Sequence, residues 1–468
     1  MKVEQLYTGC LAQGAYYIES EGEAAIIDPL RETAPYLEMA EERGAKIKYI
    51  LETHFHADFV SGHIDLAKKS GAQIVFGPKA ETGYDAYVAK DNEELKLGKL
   101  RIKVLHTPGH TQESSSFLLL NEEGEQLAIF TGDTLFIGDV GRPDLAIKSD
   151  VTMDDLAGML YDSLHNKIMP LNDDLIVYPG HGAGSACGKN MSKETYATLG
   201  NQKEFNYALQ PMSRQEFITK VTAGLATPPQ YFGYNAMMNK AGYNSFDEAL
   251  AQGTTPLDVE AFKAEMAKGT LILDTRHQDV FEKGYIPGAI SIGLDGSFAP
   301  WVGAMIENLQ RPILLIVQEG REEEAVTRLA RVGYDNVVGF LKGGLDAWTA
   351  AGGDVATVKT IPATELAQLI AKEDDLKVID VRNEGEFISE HLLAATNYPL
   401  AEMAKQVEDL DKKATYYVHC AGGYRSMIAS AVLQNMGFEN IINVAGGFTA
   451  ISETDAPKSD YVCPSTLL

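Results

Sequence analysis

The sequence predicts an α/β chain of several domains, a strand-rich α/β domain first and two copies of one parallel α/β domain after it. Three observations carry this. The 468 residues exceed what a single hydrophobic core usually organises, and 45% hydrophobic with 23% charged content belongs to a globular chain. Short β-type runs dominate up to about residue 190. The second half repeats itself: the offset that lays Leu273-Asp274-Thr275-Arg276 onto Ile379-Asp380-Val381-Arg382 also brings Phe281 onto Phe387 and Ala289 onto Ala395. Near the repeat ends, Gly343-Gly344-Leu345-Asp346-Ala347-Trp348 matches Gly446-Gly447-Phe448-Thr449-Ala450-Ile451.

In the first domain the runs are Ala15–Glu19, Ala24–Asp28, Ile47–Thr53, Ile102–His106, Ser115–Leu120, Leu127–Thr131 and Leu175–Tyr178. The start, Met1 to Tyr7, reads as an amphipathic strand. A helix is predicted from Thr33, with Pro35 in its first turn, to Gly44, and another through Asp154–His165. Residues 190 to 250 mix helix formers with Met, Tyr, Phe and Pro228-Pro229, which reads as helices and loops packed over the first domain, as core packing or as a substrate lid. Both repeats alternate short apolar strands with helical stretches such as Ala325–Val332 and Ser426–Met436, the pattern of a parallel sheet. Gly- and Pro-bearing stretches at 253–256 and 352–362 mark boundaries, giving domains at 1–250, 256–355 and 359–468.

Charge and cysteine usage exclude several functions. With 40 Lys+Arg against 66 Asp+Glu, the formal charge of −26 repels phosphate backbones and anionic lipid head groups, so neither nucleic acid nor a membrane is expected as partner. An anionic substrate would need local basic side chains or a metal ion to draw it in. Four cysteines are too few for a disulfide framework and fit a reducing compartment. Without an apolar run of membrane length or a signal-peptide pattern, the expected location is the cytoplasm. A homo-oligomer stays open.

Chemistry concentrates where strands end. Ile47–Thr53 runs into His54-Phe55-His56-Ala57-Asp58, and alternate residues of extended chain point to one side, so His54, His56 and Asp58 can converge. Other strands end in His106-Thr107-Pro108-Gly109-His110, Thr131-Gly132-Asp133 and Tyr178-Pro179-Gly180-His181. One such histidine is ordinarily structural; four strand exits carrying His or Asp point to a metal site.

This pattern resembles the metallo-β-lactamase fold, whose signature is T-H-x-H-x-D-H with a later His, a bridging Asp and a last His. The resemblance implies an αββα sandwich over residues 1–250. In the dinuclear zinc hydrolases of that superfamily the residue after the motif Asp is a histidine; here it is Phe59, which offers no lone pair. By resemblance to the persulfide dioxygenase branch, one Fe(II) per chain would be held by His54, His110 and Asp133, with zinc as the alternative. His56, Asp58 and His181 would then orient ligands or line the pocket. Arg142, in Gly138-Asp139-Val140-Gly141-Arg142-Pro143-Asp144, resembles that branch's Gly-Arg-x-Asp element and is read either as a surface ion pair or as an anion contact. The loop after His181 lacks the Asp-Tyr pair of glutathione-using members and carries Cys187 and Lys189 instead; Lys189 would lower the Cys187 pKa, or the thiol would simply pack.

In the second repeat Thr415–His419 runs into Cys420-Ala421-Gly422-Gly423-Tyr424-Arg425-Ser426, directly before a helix. A cysteine between strand end and helix start meets a fan of backbone N–H groups, and the glycines let the chain curl around it. This C-x-x-G-x-R loop resembles that of rhodanese sulfurtransferases, which implies a persulfide on Cys420, an anion on Arg425, and two tandem rhodanese-like parallel α/β domains. Asp380 and Arg382 read as structural. The first repeat has Gln318-Glu319-Gly320-Arg321 in the corresponding place, thiol-free and too short, and reads as a degenerate copy acting as spacer or docking surface. Cys10 reads as core and Cys463 as a tail thiol.

Together these resemblances imply a persulfide dioxygenase coupled to a sulfurtransferase, taking a small-thiol persulfide and O2 to sulfite and on to thiosulfate. Two other readings stay open: a zinc-dependent thioester hydrolase of the hydroxyacylglutathione type, and a non-catalytic sulfur-relay scaffold.

Overall fold

The computed structural model describes residues 1–147, 151–373 and 375–463. They fall into two compact units, one of residues 1–248 with the short segment Leu329–Tyr334, the other of the remaining chain from Ala249.

The first unit contains two six-stranded sheets. One runs in chain order through Lys2–Thr8, Gln13–Ser20, Glu23–Ile27, Lys46–Glu52, Gln73–Phe76 and Tyr87–Val88. The other places Ala197–Thr198, Ile176–Pro179, Gln126–Gly132, Ser115–Leu120, Leu100–His106 and Glu94–Leu97 side by side. Strand periodicity sorts their residues into layers. Tyr16, Ile18, Ile27 and Leu51 share one core cluster with Val104, Phe117, Leu119 and Phe130 of the second sheet. Their neighbours Ala15, Tyr17, Ile26 and Ile50 face the other way, against Tyr36, Ala40 and Leu66 from helices Ala34–Glu42 and His63–Ser70. On the far side Leu118, Leu120 and Ile129 pack on Leu160, Leu164 and Phe217. Helix, sheet, sheet, helix is the predicted sandwich.

Local signals explain the helices. The first starts after Thr33, whose side chain makes no capping bond, and has Pro35 in its first turn. Met153–Ser163 begins with a reciprocal capping box between Thr152 and Asp155. Residues 190 to 250 form the helices Leu199–Phe205, Arg214–Thr222, Phe232–Ala241 and most of Phe246–Gly253.

The second unit holds two five-stranded, all-parallel sheets of matching order: Pro256–Leu257, Val337–Leu341, Ile313–Ile316, Leu271–Asp274, Ile290–Ser291, and Lys359–Pro362, Asn440–Ala445, Thr415–His419, Val378–Asp380, Ala395–Asn397. The repeat is visible in detail. Arg276 closes on Asp274 and donates to Gly284 O at 2.9 Å, as Arg382 closes on Asp380 and donates to Glu390 O at 2.8 Å. Both pairs pin the turn after the fourth-named strand of their sheet, the structural role read from the sequence. Among the described residues no helix is long and apolar enough to cross a membrane.

Candidate metal centre and sulfur-handling loop

Parallel register places the donors of the first site. Ile27 pairs with Leu51, so Asp28 and Thr53 leave the first sheet together; Gly132 pairs with Pro179, so Asp133 and His181 leave the second together. Asp28 accepts from Thr53 N and from Thr53 Oγ1, both at 2.8 Å. With its proton committed to Asp28, Thr53 Oγ1 accepts at 3.0 Å from His54 Nδ1, which leaves the Nε2 lone pair facing inward. His110 Nδ1 donates to Arg142 O at 2.9 Å, with the same result at its Nε2. Gly141 is required beside it, because a Cβ there would come within 2.0 Å of Asp133 O.

His54 Nε2, His110 Nε2 and Asp133 Oδ2 thus converge, each within 4.8 Å of the others. Asp133 Oδ2 stands 3.9 Å from His54 Nε2 and 3.4 Å from His110 Nε2. Both His54 Nε2 and Asp133 Oδ2 are buried without a hydrogen-bond partner. Two lone pairs and a carboxylate oxygen turned on one another, and orphaned in the interior, fit a cation. Burial and the neighbouring His56 hold His54 well below the usual imidazole range, so it is unprotonated and free to ligate. Burial alone would raise Asp133, but His181, His110 and His54 outweigh it and keep the carboxylate ionised.

The remaining motif residues do other things. His181 donates from Nδ1 to Asp133 Oδ1 at 2.9 Å and contacts Asp58 Oδ2 through Nε2 at 2.7 Å. Burial would lower its pKa, yet Asp133 and Asp58 raise it well above the ordinary value. His56 is turned away, with Nε2 3.1 Å from Asp28 Oδ1 and 3.7 Å from Glu52 Oε2. Phe59 is fully buried and lies against the His56 ring. His63 starts a helix and contacts Tyr84 and Glu52, away from the donors.

Two expectations are corrected. Arg142 is neither a surface pair nor a free anion contact: it is buried, bidentate on Asp144 at 2.6 and 2.7 Å, and bonded to Ala186 O and Ala226 O. Its contribution to the site is its carbonyl on His110. Lys189 does not act on Cys187; its ammonium caps carbonyls of Lys220 and Ala223 at a helix end. Burial, with Asp58 and Asp133 nearby, pushes the Cys187 thiol up rather than down. Cys187 does group with Asp58 and His181, as a second buried set of donors.

Asp28, Glu52, Thr53 and Asn239 escaped the sequence reading. Asp28 was visible as one more strand exit carrying Asp. Asn239 had no signal: its Nδ2 donates to His56 O and Phe59 O and its Oδ1 accepts from Ser61 N, holding the motif loop from far along the chain. A cavity of about 540 Å³ opens from His110, walled by Phe55, Ala57 and Met237, with Lys79 and Lys240 at its edge. Met237 and Lys240 belong to the segment expected to pack over this domain; its helix Phe232–Ala241 lines the cavity.

In the second unit Cys420 is buried, and Gly423 N donates to its Sγ at 3.1 Å. Gly423, with φ +107°, caps the helix Tyr424–Asn435. Cys420 O accepts from Phe448 N at 2.6 Å and Ala421 O from Thr449 N at 3.0 Å, an approach that needs Gly447, where a Cβ would stand 2.4 Å from Cys420 O. Gly422 lines the mouth with Tyr424 and Arg425. Arg425 binds Glu386 through two N–H groups at 2.7 and 2.8 Å, which leaves part of its fork for an anion. Cys463 is exposed, and Cys10 is half-buried rather than core.

Comparison with known proteins agrees with the fold of both units. Residues 8–181 match the metallo-beta-lactamase superfamily, and residues 258–351 and 362–454 each match the rhodanese-like domain. A metallo-beta-lactamase of known structure from Staphylococcus aureus is 32% identical, covering 73% of this chain and 98% of its own, with a TM-score of 0.64. Hydroxyacylglutathione hydrolase GloC of Haemophilus influenzae is 31% identical over 42% of this chain and 91% of its own length. The human mitochondrial persulfide dioxygenase ETHE1 is 30% identical over 46% and 78%. The chain therefore belongs to the metallo-beta-lactamase superfamily, as a member that carries two rhodanese-like domains. Its relatives include both a persulfide dioxygenase and hydroxyacylglutathione hydrolases, at similar identity.

Proposed function

We propose that this protein is a non-haem Fe(II) persulfide dioxygenase coupled to a sulfurtransferase. The observation that carries the reading is the separation of two motif positions from the His54, His110 and Asp133 cluster: His56 joins Asp28 and Glu52 in a buried donor group of its own, and Phe59 offers only a phenyl ring. What remains is His54, His110 and Asp133, two neutral nitrogens and one carboxylate, a face that suits ferrous iron and leaves positions open. Iron held there supplies the redox chemistry by which O2 oxidises sulfane sulfur.

The chain's own residues do the rest. Thr53 and the Arg142 carbonyl fix the two imidazole tautomers, so the site costs little reorganisation. Lys79 and Lys240 line the cavity together with Glu81 and Glu113, and Lys240 reaches Glu81 at 3.2 Å, so the wall is charge-balanced where the chain as a whole is strongly negative. Phe55, Ala57 and Met237 wall the cavity with apolar surface. The net reaction takes one persulfide, one O2 and one water to one thiol, sulfite and two protons. Cys420 then accepts the sulfane sulfur of a second persulfide and passes it to sulfite as thiosulfate, with Gly423 N–H stabilising its thiolate. A cytoplasmic setting belongs to the same proposal and fits four free cysteines.

The test is O2 uptake and sulfite formation on a small-thiol persulfide by the full chain. Sulfite in step with O2 supports the reading; persulfide left unchanged under O2 refutes it. A second reading, zinc-dependent hydrolysis of a hydroxyacylglutathione-type thioester, is favoured by the donor group Asp58, His181 and Cys187, which offers a further metal a buried seat. Thioester turnover without O2 uptake would establish it.

A further inference from the structure

The first rhodanese repeat has no cysteine in its loop, and the cavity above Cys420 shows what else it does. That cavity holds about 450 Å³ and is lined by Cys420 and Arg425 from the second repeat and by His277, Asp295 and Trp301 from the first. The two repeats lie within one compact unit. Tyr424 Oη donates to Gly293 O at 2.8 Å, and its ring lies over Gly296 so closely that a Cβ there would come within 2.3 Å. Met427 and Ala431, on the helix that follows the cysteine loop, share a core cluster with Phe281, Tyr285 and Ala289. The shortened loop of the first repeat is also used: Arg321 holds Glu324 and reaches Asp295 Oδ1 at 2.8 Å, fixing that carboxylate at the cavity wall.

Size and charge decide what fits. The volume is in the range that takes organic ligands, and sulfite or thiosulfate would fill a small part of it. Arg425 is cationic but already engaged by Glu386, and Asp295 stands on the other wall, tied to Arg321 through one oxygen. A small dianion meets two cations, Arg425 and Arg321, each already paired with a carboxylate, Glu386 and Asp295. A ligand with separate carboxylate and ammonium groups meets a complementary charge at each end, with the Trp301 ring for its apolar part.

We propose that this cavity binds the persulfide of a zwitterionic amino-thiol, and that Asp295 of the first repeat selects the donor by its ammonium group. The proposal rests on the sulfurtransfer reading of Cys420. In the transfer the Cys420 thiolate attacks the outer sulfur of R–S–SH. The bond between the two donor sulfurs breaks with its electron pair on the inner one, and the carrier leaves as a thiolate that takes a proton from water. The sulfane sulfur keeps its oxidation level, so no further oxidant or reductant enters.

The experiment follows anaerobic loading of Cys420 in the full chain by intact mass, with three donors: cysteine persulfide, 3-mercaptopropionate persulfide, which lacks the ammonium, and thiosulfate. The wild type is expected to load from cysteine persulfide about fivefold faster than from the mercaptopropionate analogue, the size of one partly exposed charge contact. Asp295→Asn is expected to abolish that preference and leave thiosulfate loading intact, which also reports that the cavity is folded. No preference in the wild type, or an equal slowing of all donors in the variant, overturns the proposal. Failure of every donor to place sulfur on wild-type Cys420 overturns the sulfurtransfer reading itself, and this proposal with it.

Discussion

The rings of His56 and Phe59 lie 4.3 Å apart, centroid to centroid, so the position after Asp58 is packed against an imidazole and supplies no donor to the Asp58, His181 and Cys187 group. Phe59 fills a fully buried position next to Asp58, and its partner His56 is held toward Asp28. Phe59→His is expected to raise zinc uptake toward two ions per chain, since it adds a nitrogen donor beside Asp58 and His181, and to lower O2 uptake. Metal stoichiometry after reconstitution checks this; an unchanged zinc ratio would trace the missing site to the geometry around His181 instead.

His54→Ala, His110→Ala and Asp133→Ala should each strip the metal, because three donors leave no redundancy. His56→Ala should retain part of it, since that ring meets carboxylates rather than the cluster. Its loss should weaken binding by about tenfold to a hundredfold, the usual effect of disturbing groups around the ligands. Elemental analysis of the four purified variants decides the matter: near-full metal in Asp133→Ala would exclude Asp133 as a ligand.

Acid should destabilise the protein through His63. Burial, followed by the neighbouring His56, pushes its pKa down from 6.5 to about 3. Between those values the unfolded chain binds a proton that the folded one refuses, so its contribution to stability is complete above pH 6.5 and lost as pH falls toward 3. The slope is about 1.4 kcal/mol per pH unit from this one group. His63→Gln removes it, and the loss in urea midpoint from neutral pH to pH 5 should be smaller in the variant than in the wild type. Equal losses would locate the acid sensitivity elsewhere.

Cys420→Ser should separate the two chemistries. A serine hydroxyl keeps the loop's shape, and its high pKa denies it the thiolate that carries sulfur. O2 uptake should persist while the product shifts from thiosulfate toward free sulfite, quantified by thiol-labelling chromatography under matched O2 and persulfide. Unchanged thiosulfate would remove Cys420 from the route. Lost O2 uptake would make it the entry point that feeds the first site.

Much of this was legible because backbone periodicity and strand exits are local. Tyr16 and Tyr17 alternate faces as their sequence does, and His54, His110, Asp133 and His181 all stand directly after or near strand ends. The cysteine loop was legible for the same reason, since the glycines that shape it lie beside Cys420. Side-chain direction was not legible. His54 and His56 look equivalent in an alternating strand exit, yet Thr53 aims one inward and Asp28 takes the other. Arg142 read as a surface ion pair or an anion contact and Lys189 as a partner for Cys187; Asp144, two residues on, takes the first in a buried pair, and the carbonyls of Lys220 and Ala223, far along the chain, take the second. Asp295 carries no motif, and only folding of both repeats brings it to the Cys420 cavity.

The central claim, a single redox metal on a three-residue face that oxidises persulfide, is tested most directly by one anaerobically purified sample of this 468-residue chain. Its iron and zinc content per chain is measured together with O2 consumed per persulfide. The account expects one iron per chain and one O2 for each sulfite formed. Two zinc ions per chain, no O2 uptake and turnover of a glutathione thioester would contradict it.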